Sequence, residues 1–500
     1  MQRALPLLRG QITLSTALLD DDNVLQELSY PERRLEFYVY LYQNRTVMES
    51  IVSYHLNLNR KQKCRVAEVK EWIAGSFNVC IPVDINGQDH NTPKRVLIRF
   101  PLPYKVGETQ HPGNADENLR ADAATFIWIR QNCPTIPMGF TAIEHVPLFS
   151  RLKWYLHRVV SAIFGYPRQP PYLSRHCSFN LTTGYLIMDH VGSTDAVMLS
   201  ETWNQLRHDP KRSTNLFRGL SKMLLSMAES PFDRIASLTI DNQGMIQHTN
   251  RPLTLRLHHL ENKSVPTNID RDLTYSTTDS YVMDLLSCHD SRLRYAPNSV
   301  QDKADGAAQL ANLTIMRALL PHFSDRKYRR GPFIMTLTDL HQSNLFVDAD
   351  WNIKCLVDLE WTCSLPVEML HPPYWLTSRG VDQLYKGEHL NAFCEIHAEF
   401  MDPGTTLGLA SIMRKGWEIG SFWYFHALET PKGLYNIFLD HIQPKFAKLD
   451  NAAIVEFERT ISPYWAPDVH EFLDGKIKDT EIYEGRLRQA FAAAPEEPPP

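Results

Sequence analysis

No stretch of this chain approaches the uninterrupted apolar length that crosses a bilayer as a helix, which excludes a helical membrane-spanning protein. The cysteines are too scattered to act together. Cys64, Cys80, Cys133, Cys177, Cys288, Cys355, Cys363 and Cys394 form no C-x-x-C pair and no Cys/His ligand spacing, which argues against zinc and against a disulfide scaffold. Reduced thiols in an intracellular compartment fit that usage. A large charge imbalance is also missing: the formal net charge of -5 gives no reason to expect nucleic acid or an acidic polymer as partner. Acidic residues are absent from the first nineteen positions, where Arg3 and Arg9 stand. Two arginines make a weak mitochondrial presequence, an ordinary N-terminal extension is the better reading, and the expected location is the cytoplasm. Acidic residues are absent again between Glu144 and Asp189, where Arg151, Lys153, Arg158, Arg168 and Arg175 lie. Within that segment, 151–168 mixes aromatic, aliphatic and basic residues as an interfacial helix does, and also as a helix covering the body of the protein does. What is present is ample core material: 500 residues with 43% hydrophobic side chains, enough for two or three domains.

The most informative stretch is Thr336 to Trp361, where polar groups sit at fixed spacing between two apolar runs. Leu345-Phe346-Val347 reads as a strand, Asp348-Ala349-Asp350 as a turn and Ile353 to Val357 as the returning strand, with Asp358 at its end. Such a hairpin gathers Asp339, Asn344 and Asp358 at one end. Asn344 and Asp358 then suit a hard cation such as Mg²⁺, which takes oxygen ligands and is completed by water and substrate phosphates. Asp339 stays free to orient or deprotonate an attacking hydroxyl, the arrangement of phosphoryl transfer. A tight hairpin whose Asp and Asn merely cap turns is the alternative.

Upstream, apolar residues at three- and four-residue spacing predict an amphipathic helix from Pro31 to about Asn59, with Phe37, Tyr40 and Tyr42 in its aromatic stripe. Arg65–Val69 and Ile73–Val83 read as strand, small-residue turn and strand. Gly75 and Ser76 in the turn can let backbone N–H groups approach a phosphate. Arg95–Pro101 is a further strand carrying Arg99, and Asn118 to Gln131 a helix carrying Asp122. Tyr185 to Gly192 reads as a buried strand leaving into a linker. Longer helices follow at 216–229, 307–323, 382–400, 407–427 and 434–451, with a hairpin over 235–246. The polar clusters 250–253 and 270–272 suit either an acceptor pocket or loop hydrogen bonding.

Leu337-Thr338-Asp339-Leu340-His341-Gln342-Ser343-Asn344, followed by Val357-Asp358-Leu359-Glu360-Trp361, resembles the H-G-D-x-H-x-x-N and I-D-[WFL]-E signatures of the aminoglycoside phosphotransferase and choline kinase-like family. The resemblance extends from about Arg65 to Tyr374. It departs at Leu337, where the family has a loop-bracing His, at Arg99 in place of a strand Lys, and at Asp122 in place of a helix Glu. What the resemblance implies is an α+β, two-lobed protein-kinase-like fold: an N-terminal extension over 1–60, a small sheet-rich lobe over 61–188 with a basic insertion near 145–180, a hinge over 189–199, a mainly helical lobe over 200–485 and a disordered tail over 486–500. It implies ATP as co-substrate and Mg²⁺ held by Asn344 and Asp358, with Asp339 as catalytic base. Arg99 braced by Asp122 would steady phosphates beneath Gly75 and Ser76, and the backbone around Asp189 and Val191 would meet the adenine. The implied activity is phosphate transfer to a hydroxyl of a small molecule. The departures leave open a catalytically inactive nucleotide-binding pseudokinase acting as an interaction protein.

Overall fold

In the computed structural model, residues 3–87, 94–137, 155–156, 159–160, 163, 179, 181–191, 196–384, 393–397, 408–430 and 433–493 are described. Alternation along two strands, Asn78–Asn86 and Arg95–Pro101, sets the geometry of the first half. Val79, Ile81 and Val83 on the former stand opposite Phe100, Ile98 and Val96 on the latter, and all are buried. These cross-strand pairs make one apolar face, which packs on Leu41, Met48 and Val52 of the preceding helices. Because side chains alternate, Asn78, Cys80 and Arg99 are sent to the other face. Among the described residues, the sheet runs Lys63–Val66, Asn78–Asn86, Arg95–Pro101 and Leu186–Asp189, all antiparallel, with Ile73–Ala74 beside Asn78–Asn86.

The helix expected over 31–59 is two helices, Tyr30–Gln43 and Arg45–His55, divided at Asn44. The Asn44 amide donates to the carbonyl of Tyr40 and so competes with helix continuation. Phe37 and Tyr40 pack on the sheet core, whereas Tyr42 is exposed beneath Arg45. The N-terminal residues Leu5, Ile12, Ala17 and Val24 form a core with Tyr483, Leu487 and Phe491 of the last helix, Val469–Ala493. That helix carries the chain through residues 486–493, the first part of the stretch expected to be disordered.

After Met198 helices dominate, and the whole is a mixed α+β architecture with a small sheet-rich part and a larger, mainly helical one. Among the antiparallel ladders that interrupt the helices are Phe333–Leu337 with Thr362–Pro366, and Leu345–Val347 with Ile353–Leu356. The helix expected over 407–427 breaks at Gly420, whose φ of 89° suits glycine, into Leu409–Ile419 and Ser421–Glu429. The helix expected over 434–451 is short turns from Leu434 to Lys445, and a new helix starts at Asn451. The 235–246 hairpin forms, with Gly244 at φ 81°. Most of 382–400 and of the basic segment falls outside the described residues. Of the latter, Tyr155, Leu156, Val159, Val160 and Ile163 are helical and exposed. Among the described residues no helix is long and apolar enough to cross a membrane.

One buried carboxyl makes the helical part sensitive to pH. Glu368 accepts from Ser324 Oγ at 2.9 Å and Asp325 N at 2.7 Å, and burial pushes its carboxyl from the ordinary 4.5 up to about 7. A raised folded-state value means that the stabilisation is complete below pH 4.5 and lost as pH rises through 7. Glu368→Gln can still accept from Asp325 N at its oxygen and donate its amide N–H to Ser324 Oγ, without an ionisable proton. Its thermal midpoint is expected to gain on the native protein between pH 4.5 and 7, whereas a gap constant with pH would contradict this reading.

Candidate active site

Two loops, 338–344 and 357–361, leave the same pair of ladders and therefore lie side by side. Leu337 pairs with Thr362 at one end, and Leu345 with Leu356 at the other. Val357 N donates to Asn344 O at 3.0 Å, and Thr338 binds the Trp361 carbonyl through N at 3.3 Å and Oγ1 at 2.5 Å. Thr338 thus braces the loop in which Leu337 stands without a bracing His.

The three residues expected to share a site do converge. Asp339, Asn344 and Asp358 all border one small cavity of about 10 Å³, room for roughly one water-sized sphere. The Asn344 amide donates to the Asp339 carbonyl oxygen at 2.8 Å, which leaves the Asn344 side-chain oxygen available as an acceptor. Asp358 sits at φ 65°, a left-handed conformation that Asp tolerates better than bulkier residues, and its carboxylate is about one-third exposed. A cation ligated by a few protein oxygens and completed by phosphates fits this donor set. The Asp339 carboxyl, pushed up to about 7 by burial and then by the charge of Asp358, is in reach of both protonation states near neutrality.

His341 is neutral because burial lowers its pKa. Its Nδ1 accepts from Ser343 N at 3.1 Å, so the ring proton sits on Nε2, which lies 3.9 Å from Asp339 Oδ2. It shapes the loop.

Arg99 is the hub of a buried cluster. Its Nη1 binds Asp122, and its Nη2 binds both Asp358 and Glu360. Burial opposes the Arg99 charge, but Glu360, Asp122 and Asp358 together hold its pKa raised. Burial dominates the other way for the acids: Asp122 is pushed up to about 6 and Glu360 well above the ordinary carboxylate range. Asp122 also accepts from Leu359 N at 3.2 Å, and Asn78 Nδ2 donates to both Glu360 oxygens at 3.0 and 2.9 Å. The sheet and the 357–361 loop are therefore joined through this buried cluster of side chains. Both terminal nitrogens of Arg99 are taken by carboxylates rather than left for phosphates.

Gly75 and Ser76 form an exposed turn closed by Gly75 N donating to Asn78 O at 2.8 Å. The Phe77 ring packs edge-on against Trp361 at 4.7 Å, so the turn is anchored over the site loop. Asp189 lies opposite Val96 at the end of the edge strand, and neither Asp189 nor Val191 borders the cavities next to Asp339. Residues 192–195 of the expected hinge fall outside the described residues. The 250–253 and 270–272 clusters are structural: Arg251 pairs with buried Glu117 and Glu261, and Arg271 reaches Glu117.

No family model matches the chain, and no curated protein does. A solved kinase is similar. It is an ethanolamine kinase of Plasmodium vivax, 10% identical over 82% of this chain and 87% of that chain, with a TM-score of 0.35.

Sequence reasoning missed Glu360 as a partner of Arg99, although it lies two residues after Asp358 in the same quoted motif. It also missed the second cavity that Asp339 borders, about 600 Å³, whose walls include Thr338, His341, His371, Tyr374, His426 and Arg256. His371 and His426 stack 4.0 Å apart, and burial keeps both neutral. These residues are spread from 256 to 426, so only the fold unites them.

Proposed function

We propose that the protein is an ATP-dependent phosphotransferase acting on the hydroxyl of a small molecule. The observation that carries this is Asp339 standing between two spaces: the small cavity it shares with Asn344 and Asp358, and the large one beyond. In this reading Asn344 and Asp358 hold Mg²⁺, which would neutralise charge on the transferred phosphate. The acceptor occupies the 600 Å³ cavity, within the usual range for small-molecule sites. Asp339 orients the hydroxyl and accepts its proton at the carboxylate. Arg99, with Asp122 and Glu360, fixes Asp358 in place, and the Gly75–Ser76 turn covers the phosphates.

A second reading, an idle nucleotide-binding protein, draws support from Arg99 occupying Asp358. Transfer separates the two. A panel of small hydroxyl compounds is screened for ATP-dependent phosphorylation beside Asp339→Asn. The expected result is turnover of at least one compound and a loss of roughly 10²–10⁴-fold in the variant, with nucleotide affinity retained. Turnover equal in both proteins would sink the assignment of Asp339.

A further inference from the structure

The large cavity has a charge feature that the proposed chemistry does not use. Arg256 borders it from the first turn of the Leu255–Asn262 helix, where Thr254 Oγ1 caps Leu257 N at 3.4 Å. The residue is only 8% exposed. Among the described residues its Nε and Nη1 have no hydrogen-bond partner, and Nη2 has one long contact, 3.5 Å to the Leu285 carbonyl. No ion pair within 4.0 Å is found for it among the described residues. Arg292, also on the cavity wall, adds a second guanidinium that feels the charges of Asp21 and Asp305 and the repulsion of Arg256; its Nη2 binds Gln309, and its Nε has no hydrogen-bond partner among the described residues.

A buried guanidinium without a counter-ion is costly to hold in a folded protein, and two other buried arginines among the described residues are paired with carboxylates. Arg99 has three carboxylates, and Arg251 has two. Of the acids on the same wall, Asp21, Asp22, Asp339 and Glu429, it is Glu429 whose charge acts on Arg256, yet no hydrogen bond or ion pair joins Arg256 to any of them, and burial pushes Glu429 up to about 7. A ligand that completed Arg256 would be an anion entering the cavity. The guanidinium fork matches carboxylate and phosphate oxygens two at a time.

We propose that the acceptor is an anionic alcohol, a hydroxyl compound bearing a carboxylate or phosphate, and that Arg256, assisted by Arg292, binds its anionic end while Asp339 meets its hydroxyl. This rests on the phosphotransferase reading for the hydroxyl, but not for the anion.

Calorimetric titration of the full chain at fixed ionic strength tests it, with glycerol 3-phosphate, glycerate and ethanolamine as probes and Mg²⁺–ATP titrated in parallel. Saturable binding of one of the anions is expected, and which one binds tells phosphate from carboxylate. Arg256→Met should weaken that binding roughly a hundredfold while leaving Mg²⁺–ATP binding unchanged and the thermal midpoint equal or higher. Glu429→Gln, measured at pH 8 where the native carboxyl is ionised, removes a neighbouring negative charge and should tighten it severalfold. Binding of ethanolamine alone, or of neither anion while Mg²⁺–ATP binds, overturns the inference and spares the kinase reading. Anion binding without Mg²⁺–ATP binding does the reverse. Should Arg256→Met not fold, the Glu429→Gln result decides: unchanged anion affinity overturns the inference.

Discussion

Replacing Arg99 with Met is expected to destabilise the protein by about 3–5 kcal/mol, read as a shift in the urea midpoint. The size follows from what would be left behind. Asp122 and Glu360 have 1% and 0% of their side-chain surface exposed, and each has a bond to Arg99. Without the guanidinium, Asp122 keeps the Leu359 N–H and Glu360 the Asn78 amide, too little to replace the bonds that Arg99 makes to two carboxyl groups held out of water. Arg99→Lys should fall between, because a point charge cannot reproduce a fork that spans three carboxylates. The same cluster ties the sheet to the 357–361 loop, so the loss spreads to the site. A loss under about 1 kcal/mol in Arg99→Met would mean that the cluster contributes no net stability.

Asp358→Asn is expected to do the opposite: little change in stability and a large loss of activity. Its carboxylate is one-third exposed, and Asn also tolerates the positive φ found there. The amide cannot replace a charged ligand for Mg²⁺, so transfer should fall at least a hundredfold and Mg²⁺–ATP affinity about tenfold or more. Normal activity in Asp358→Asn would remove that residue from the metal site. The contrast between the two variants is informative by itself, because Arg99 and Asp358 touch each other yet should fail in different ways.

Much of this site was legible in the sequence because its residues are local. Asp339, Asn344 and Asp358 lie within one hairpin and its flanking loops, and turn-forming residues between short apolar runs fix that hairpin almost unaided. The first sheet was legible for a similar reason, since Val79 to Val83 and Val96 to Phe100 alternate cleanly. Arg256 was not. In L-R-L-H-H-L-E-N a charged residue beside leucines reads as the solvent face of a helix, and only packing by helices distant in sequence buries it. The divided helices show an intermediate case. Gly420 was a visible signal, whereas the break at Asn44 depends on a side-chain hydrogen bond. The three carboxylates on Arg99 come from a helix and a loop far from its strand, so spacing could reveal Asp122 only through family resemblance.

The most direct measurement is calorimetric titration of the native protein with ATP, with and without Mg²⁺. The account predicts saturable one-to-one binding that requires the cation, with its heat lost in Asp358→Ala. Absence of binding in every condition would contradict the ATP site, and with it the assignment of Asp339, Asn344 and Asp358 to phosphate transfer.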